Sequence, residues 1–442
     1  MKTRKILLAT TALCMAAGTA VADITLSGEA EMGVAGSKDD SVRFHTDIDV
    51  TFTLSGETDG GVTFGSAIDI DEASDDLKRN AAGTETVDHA TQKDDEHGGI
   101  AVFMEDAGGF GKLTLGDTDG AYDWALTEVN AGGLRSEGEH GGWDGNSGLD
   151  GNHDGQILLY NRAIGSGFSM GASVELSDDT DGKPGGKTYD PIIGLGGTYS
   201  MGMGAGTLDL GGGFQTGSWD HTVAKSVAQQ RRDAGLSFAD ARLATPALTT
   251  DQKNEVKPLW GTGMGSDAKG LEVEGTVVGG SAKMGFGDAA AGGSWTVILN
   301  GSVMEADGSA LIGTTRNSET LDVEKTYLGL GLGYSVGSLS LGVNVGNKVT
   351  ESTYDESNAT TATNDVTTIE TTVNGVGFDV AYDLGGGASL MFGVGSSETE
   401  TDYAYGTSAE GYATGANNAT SSVTDDTSTD TNKWSLGVKF KF

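Results

Sequence analysis

The stretch NKWSLGVKFKF, residues 432–442, decides the fold. Its apolar side chains occupy every second position: Trp434, Leu436, Val438, Phe440 and Phe442. Lysine, serine and glycine fill the positions between them. This period of two predicts a β-strand with one apolar and one polar face. A strand of about ten residues that is apolar outside and polar inside is what a transmembrane β-barrel requires.

The same alternation is clearest in residues 42–54. One face of this predicted strand carries Val42, Phe44, Thr46, Ile48, Val50, Phe52 and Leu54, and the other carries Arg43, His45, Asp47, Asp49, Thr51 and Thr53. A helix would place apolar residues at three- and four-residue spacing, so this segment is predicted to be extended.

Alternation of this kind recurs along the chain and predicts 16 strands. They lie near residues 24–34, 42–54, 62–71, 98–105, 110–117, 156–163, 167–177, 192–201, 206–216, 271–286, 294–304, 326–336, 338–349, 369–383, 388–396 and 432–442. Short glycine-rich turns alternate with longer polar loops, which include 118–155, 305–325, 350–368 and 397–431. An even-numbered antiparallel barrel with short turns at one rim and long loops at the other has this pattern.

Glycine is abundant on the polar face of several of these strands, as at Gly329, Gly331 and Gly333. Because glycine weakens a strand, this density suggests either tight curvature or the close approach of another subunit.

Composition limits the location and partners of the chain. Residues 1–22 resemble a secretion signal: Lys2, Arg4 and Lys5 precede a short apolar run, and Ala20-Val21-Ala22 resembles a cleavage site. The barrel is then predicted over residues 23–442. The 64 acidic against 27 basic residues of the whole chain argue against nucleic acid as a partner. After the signal no apolar run is long enough for a membrane helix.

Several segments together resemble the general-diffusion porins of alphaproteobacteria. They are LSGEAEMGV near the start, VTFTLSGETDGG at 50–61, GKLTLGD at 111–117, ILLYN at 157–161, DLGGGASLMFGVG at 383–395 and the terminal LGVKFKF. The resemblance implies an all-β fold, a 16-stranded trimeric barrel in the outer membrane of a Gram-negative bacterium. It also implies that the loop after the fifth strand folds into the lumen and narrows it.

That constriction loop is predicted at 118–155. It is dense in acids: Asp119, Asp123, Glu128, Glu137, Glu139, Asp144, Asp150 and Asp154, with Asp117 at its root. Carboxylates at a constriction favour cations through electrostatic focusing. An ordinary solvated acidic loop is the alternative.

The rest of the pore wall is predicted from inward positions of the early strands. Arg43, Lys112 and Arg162 are the basic candidates, with His45 beside them. Asp47 and Asp49 stand where the resemblance implies arginine, and this departure strengthens the expected preference for cations.

A calcium site is a further hypothesis. DGNSGLDGNHDG at 144–155 supplies Asp144, Asp150 and Asp154 as oxygen ligands, although it lacks the terminal glutamate of an EF-hand. No other cofactor is expected. An enzyme is not expected either, because the six histidines and the serines form no recognisable catalytic pattern.

These observations predict a homotrimeric porin for passive diffusion of small hydrophilic solutes and ions. Its other expected partners are outer-membrane lipid and the assembly machinery that recognises the C-terminal strand. Two alternatives are a substrate-specific channel on the same fold and a secreted calcium-binding β-roll or adhesin. The β-roll would show nine-residue G-G-x-G-x-D repeats, and the sequence has none.

Overall fold

A computed structural model describes residues 23–38, 41–71, 78–79, 85–86, 99–106, 108–129, 148–153, 156–176, 190–221, 271–288, 292–312, 317–358, 363–407 and 423–442. The predicted signal at 1–22 lies outside them. The strands are β1 (Asp23–Ser37), β2 (Arg43–Glu57), β3 (Val62–Asp71), β4 (Lys78–Arg79), β5 (Glu85–Thr86), β6 (Ile100–Asp106), β7 (Gly111–Asp117), β8 (Gln156–Gly165), β9 (Phe168–Glu175), β10 (Ile192–Met203), β11 (Gly206–His221), β12 (Leu271–Asp288), β13 (Gly293–Ile312), β14 (Asn317–Val336), β15 (Leu339–Asn358), β16 (Thr363–Gly385), β17 (Ala388–Thr407) and β18 (Val423–Lys441). A short helix, α1, spans Ala121–Ala125.

Sixteen of these strands form one closed antiparallel barrel, as the sequence predicted. Each pairs with its neighbours in chain order, β4 and β5 form a separate two-stranded ribbon, and β18 returns to pair with β1. The closing ladder sets Glu29 opposite Lys441 and Val34 opposite Leu436, and the amide of Phe442 donates to the carbonyl of Gly28 at 2.9 Å. Closure leaves no unpaired sheet edge, so backbone hydrogen bonds are satisfied within the ring.

The two faces of the barrel differ as the alternation predicted. Phe44 and Ile48 on β2 are exposed on the outer face, whereas His45 and Asp47 between them are buried on the inner face. Large exposed apolar side chains also occur on the other barrel strands, for example Leu195, Leu330 and Leu436. Such an outer surface suits lipid.

Strand length varies around the barrel, and this corrects the loop assignment. β6 and β7 have seven residues each, whereas β13 to β17 have 20 to 23. Much of the sequence predicted as loop at 305–325, 350–368 and 397–431 is therefore strand. The Thr-, Ser- and Asp-rich composition favours a loop, but the segments pair with one another, and Thr353 and Thr368 join by their hydroxyls at 3.1 Å.

The long strands carry a row of like charges. Glu305, Glu324, Glu351, Glu370 and Asp402 stand directly opposite one another on five successive strands. Their positions share the outer face with Leu328, Val345 and Val376, because strand residues two apart point the same way.

Tight turns join the strands at the other rim. Between β16 and β17, Gly385, Gly386 and Gly387 all have positive φ, from 67° to 86°. Residues other than glycine rarely adopt this backbone conformation, which explains the GGG of the predicted DLGGGAS turn.

A cluster of buried apolar side chains lies inside the barrel, on β10 to β14, on α1 and at Leu149. It comprises Tyr122, Leu149, Ile192, Trp219, Val273, Val277, Met304, Ala306, Leu321 and Val323. This part of the inner face is therefore a small apolar core, whereas the alternation predicts a polar inner face. Among the described residues, the structure contains no helix with the length and apolar character needed to cross a membrane.

Candidate functional site: the inner wall and the segment packed on it

The first strands place four predicted wall residues on the inner face. His45, Asp47 and Asp49 are buried, and Arg43 at the start of β2 is half-buried on the same face. Asp47 stands opposite Glu31 of β1, and Asp49 stands opposite Glu29. The inner wall at this point therefore carries two cross-strand pairs of carboxylates, Glu31 with Asp47 and Glu29 with Asp49.

Lysines of the terminal strand balance part of this charge. Lys439 is paired with Glu31 at 3.2 Å and also with Glu29, while Lys441 reaches Glu29 at 2.7 Å. His45 Nε2 lies 3.1 Å from the other carboxylate oxygen of Glu31. The ion pairs of the two lysines cross the seam between β18 and β1, where the barrel closes, whereas the His45–Glu31 contact joins β2 to β1.

The two other basic residues predicted for the wall differ in their placement. Lys112 lies on the inner face of β7, with its ammonium 4.9 Å from the centre of the Phe103 ring. Arg162 stands opposite Met170, on the outer face shared with Leu158 and Tyr160. The prediction for Arg162 is therefore wrong, because ILLY at 157–160 is apolar on both faces and does not reveal which face is inner.

The segment 118–129, after β7, lies against the inner wall. α1 contacts β8 to β11, and Ala121, Tyr122 and Ala125 are buried. Side chains of the wall bond its backbone: the Ala121 amide donates to Ser173 Oγ at 2.9 Å and the Thr127 amide to Ser281 Oγ at 2.8 Å. Asn300 donates to the Thr127 carbonyl at 2.7 Å.

The segment 148–153 is bound to the same wall. The Leu149 amide donates to Gln215 Oε1 at 2.7 Å, and the amides of Gly151 and His153 both donate to the Glu175 carboxylate at 3.1 Å. Gln215 and Glu175 are almost completely buried. Two polar residues of the wall thus fix the returning end of the predicted constriction loop.

Inner-face glycines allow this close approach. We call the following residues the glycine seat, because an added Cβ would meet residues 121–129: Gly171, Gly194, Gly196, Gly211, Gly213, Gly279, Gly329 and Gly331. For Gly329 and Gly331 the sequence suggested curvature or the approach of another subunit. The approaching residue is Val129 of the same chain.

The acids predicted for the constriction are only partly within the described residues. Asp119 is exposed, Asp123, Glu128 and Asp150 are half-buried, and Asp117 is the exposed last residue of β7. Glu137, Glu139, Asp144 and Asp154 lie outside the described residues.

Two carboxyls of this group have shifted acidities. Burial, followed by the charges of Glu128, Asp119 and Asp150, raises the pKa of Asp123 to about 7. Burial raises the pKa of Asp150 to about 6, against the opposing effect of hydrogen bonds from the Gly120 amide and Gln215. Both carboxyls therefore change charge near neutral pH.

The described residues do not bring together a group of three or more potential metal ligands. Of the calcium candidates, Asp150 is within the described residues, and both of its carboxylate oxygens accept hydrogen bonds from Gly120 and Gln215. Asp144 and Asp154 are not, so a calcium site stays a prediction.

Sequence reasoning missed the residues that hold the segment: Ser173, Glu175, Gln215, Ser281 and Asn300. Each is a polar residue at an inner position of a strand, so alternation assigns the face correctly. The partner was not predictable, because the contacting residues are 22 to 173 positions away in the chain.

Comparison with known proteins supplies the family. The model for the family described as Gram-negative porin matches residues 9–402. A porin of Rhodobacter capsulatus is 30% identical over 199 residues, which is 42% of this chain and 57% of that protein.

Solved structures match this chain at low sequence identity. A porin structure refined at 1.8 Å matches with 20% identity and a TM-score of 0.46, over 95% of this chain and all of that one. The trimer form of in-vitro folded OmpT from Vibrio cholerae matches with 12% identity and a TM-score of 0.45, over 95% of this chain and 99% of that one.

Proposed function

Because this chain belongs to the Gram-negative porin family, we propose that it forms a water-filled channel for passive diffusion of small hydrophilic solutes and ions, with a preference for cations. Its location is the outer membrane of a Gram-negative bacterium. The closed barrel argues against the alternative of a secreted β-roll.

The observation that carries the proposal is the combination of a closed barrel and a chain segment seated on its inner wall. Such a segment takes up part of the lumen, and Asp119, Asp123 and Glu128 are part of it. Buried carboxylates on β1 and β2 add negative charge elsewhere on the inner face. Fixed charge of one sign raises the local concentration of the opposite ion.

Permeation needs no chemical step and no cofactor in this proposal. The inner wall supplies hydrogen-bonding groups and charge, and the closed sheet separates this polar surface from lipid. Calcium bound by Asp144, Asp150 and Asp154 would reduce the negative charge of the loop. Its predicted effect is a weaker cation preference in millimolar calcium than in an equal concentration of potassium.

We also propose a homotrimer. The resemblance noted in the sequence implies one, and the short strands support it. β6 and β7 have seven residues each, fewer than the nine to eleven that a tilted strand needs to cross a bilayer. The outer side chains of these strands, such as Val102 and Met104, are exposed and apolar, and a neighbouring subunit would cover them. Recognition of β18 by the assembly machinery is part of the same proposal.

Conductance of the purified protein in a planar bilayer tests the function. We expect discrete channel steps, and a reversal potential of the sign that cation permeation gives in a potassium chloride gradient. Anion selectivity would contradict the acidic-pore proposal, and membranes without channel steps would contradict the porin function. Chemical cross-linking in detergent tests the trimer separately.

A further inference from the structure

At several glycines of the barrel wall, the backbone of residues 121–125 lies so close that a side chain at these positions would collide with it. A Cβ on Gly196 would come within 3.0 Å of the Ala121 carbonyl oxygen, and one on Gly211 within 3.0 Å of the Ala125 carbonyl oxygen. A Cβ on Gly213 would meet the Cα of Tyr122 at 2.9 Å. Backbone atoms cannot rotate away as the end of a flexible side chain does.

Hydrogen bonds prevent the segment from sliding along the wall. Ser173 and Ser281 accept from the amides of Ala121 and Thr127, on either side of the tight contacts, and Asn300 donates to the Thr127 carbonyl. Tyr122, which is fully buried, fills the space over Gly213 and Gly279. The direction left for a displaced segment is away from the wall, into the lumen.

We propose that the glycine seat determines how far the segment 118–129 stands from the wall, and therefore the open cross-section of the channel. Its glycines are positioning residues for permeation, because the absence of a Cβ at each of them lets the segment lie close to the wall. This inference rests on the proposed channel function and deepens it. It also links pore width to pore charge, since Asp119, Asp123 and Glu128 move with the segment.

The test compares seat glycines with their neighbours in the same strands. Gly196→Ala and Gly211→Ala place a methyl group against backbone oxygens, so each is expected to lower single-channel conductance by roughly a tenth or more, as the overpacked segment shifts. The matched controls are Gly197→Ala and Gly212→Ala, at outer positions with no heavy atom closer than 3.8 Å to the added Cβ. Their conductance is expected to equal that of the wild type.

A milder variant keeps the test valid if these substitutions prevent folding. Gly331→Ala meets the Val129 side chain at 3.2 Å, so a small displacement suffices and the fold should form. Its conductance should fall less than that of Gly196→Ala. Liposome swelling with sugars of increasing size gives a second readout, in which the seat variants should exclude smaller sugars than the controls do.

Different outcomes would overturn this inference and the proposed channel function. Seat variants that fold, by heat-modifiable migration on a gel, and conduct as well as or better than the wild type would overturn the inference alone. A wild-type protein without channel steps would overturn the proposed function, and no comparison of variants would then arise.

Discussion

Asp123 is the residue at which the acidity of the site has the clearest consequence. Its pKa of about 7 means that the carboxyl is mostly ionised at pH 8 and mostly neutral at pH 5. Asp150, with a pKa of about 6, follows at lower pH. We predict that cation preference, measured as the reversal potential in a fixed salt gradient, weakens as the pH falls from 8 to 5.

Asp123→Asn is the matching variant, because it removes the charge and nearly preserves the shape. At pH 8 its cation preference should be weaker than that of the wild type, and its reversal potential should change less between pH 8 and 6. The change around pH 6 should remain, since Asp150 is intact. A wild-type pH profile in this variant would show that Asp123 does not face the permeating ions.

Lys439 forms ion pairs with two carboxylates across the closing seam. It is half-buried and paired with both Glu29 and Glu31, so Lys439→Met leaves two carboxylates without this partner. We expect a loss of stability on the order of 1.5–3 kcal/mol, the usual range for hydrogen bonds to charged groups. The measurement is the temperature at which the folded band disappears on a gel.

Lys433→Met serves as the control for that experiment. Lys433 belongs to the same strand but is exposed. Equal transition temperatures for the two variants would mean that the ion pairs of Lys439 do not hold the seam.

At the scale of elements, the extended strands β13 to β17 bring like charges together. Carboxylates directly opposite each other in a sheet repel, and salt screens the repulsion between exposed groups. We therefore predict that Glu324→Gln raises the thermal stability at low ionic strength and that the difference disappears in molar salt.

Glu57→Gln is the appropriate comparison, since Glu57 is exposed and stands opposite Thr63. A stabilisation of the same size in both variants would point to net charge and would contradict a specific effect of the row.

The sequence predicted the elements better than their lengths. Alternation located the 16 barrel strands, because a barrel strand must be apolar on the lipid side along the whole span. Beyond the membrane this constraint ends, and segments such as 397–407 read as loops although they pair in register. On β8 the inner Ile157 and Leu159 are buried, so alternation failed there and Arg162 was assigned to the wrong face.

The glycine seat could not be predicted from the sequence for a different reason. The glycines at 194, 196, 211 and 213 were visible in the sequence, but their meaning depends on a segment some 70 to 90 residues earlier in the chain. Long-range contacts of this kind leave no local pattern.

At the scale of the whole molecule, charge predicts how selectivity depends on salt. The chain has 64 acidic and 27 basic residues, and the described carboxylates lie on both the inner wall and the seated segment. The screening length falls from about 10 Å at 0.1 M to about 3 Å at 1 M salt. We predict that the cation-to-anion permeability ratio falls over this range. A constant ratio would indicate that pore size and not fixed charge discriminates between ions.

The pairing of β18 with β1 also bears on how the molecule folds. Residues 29 and 441 are neighbours in the sheet although almost the whole described chain separates them. Contacts between such distant residues form slowly, because the loop between them must first be ordered. Once β1 has paired with β2, its other edge stays open until the last strand arrives. The first strand is therefore the most exposed to mispairing throughout biogenesis, for as long as the synthesis and folding of the remaining strands take.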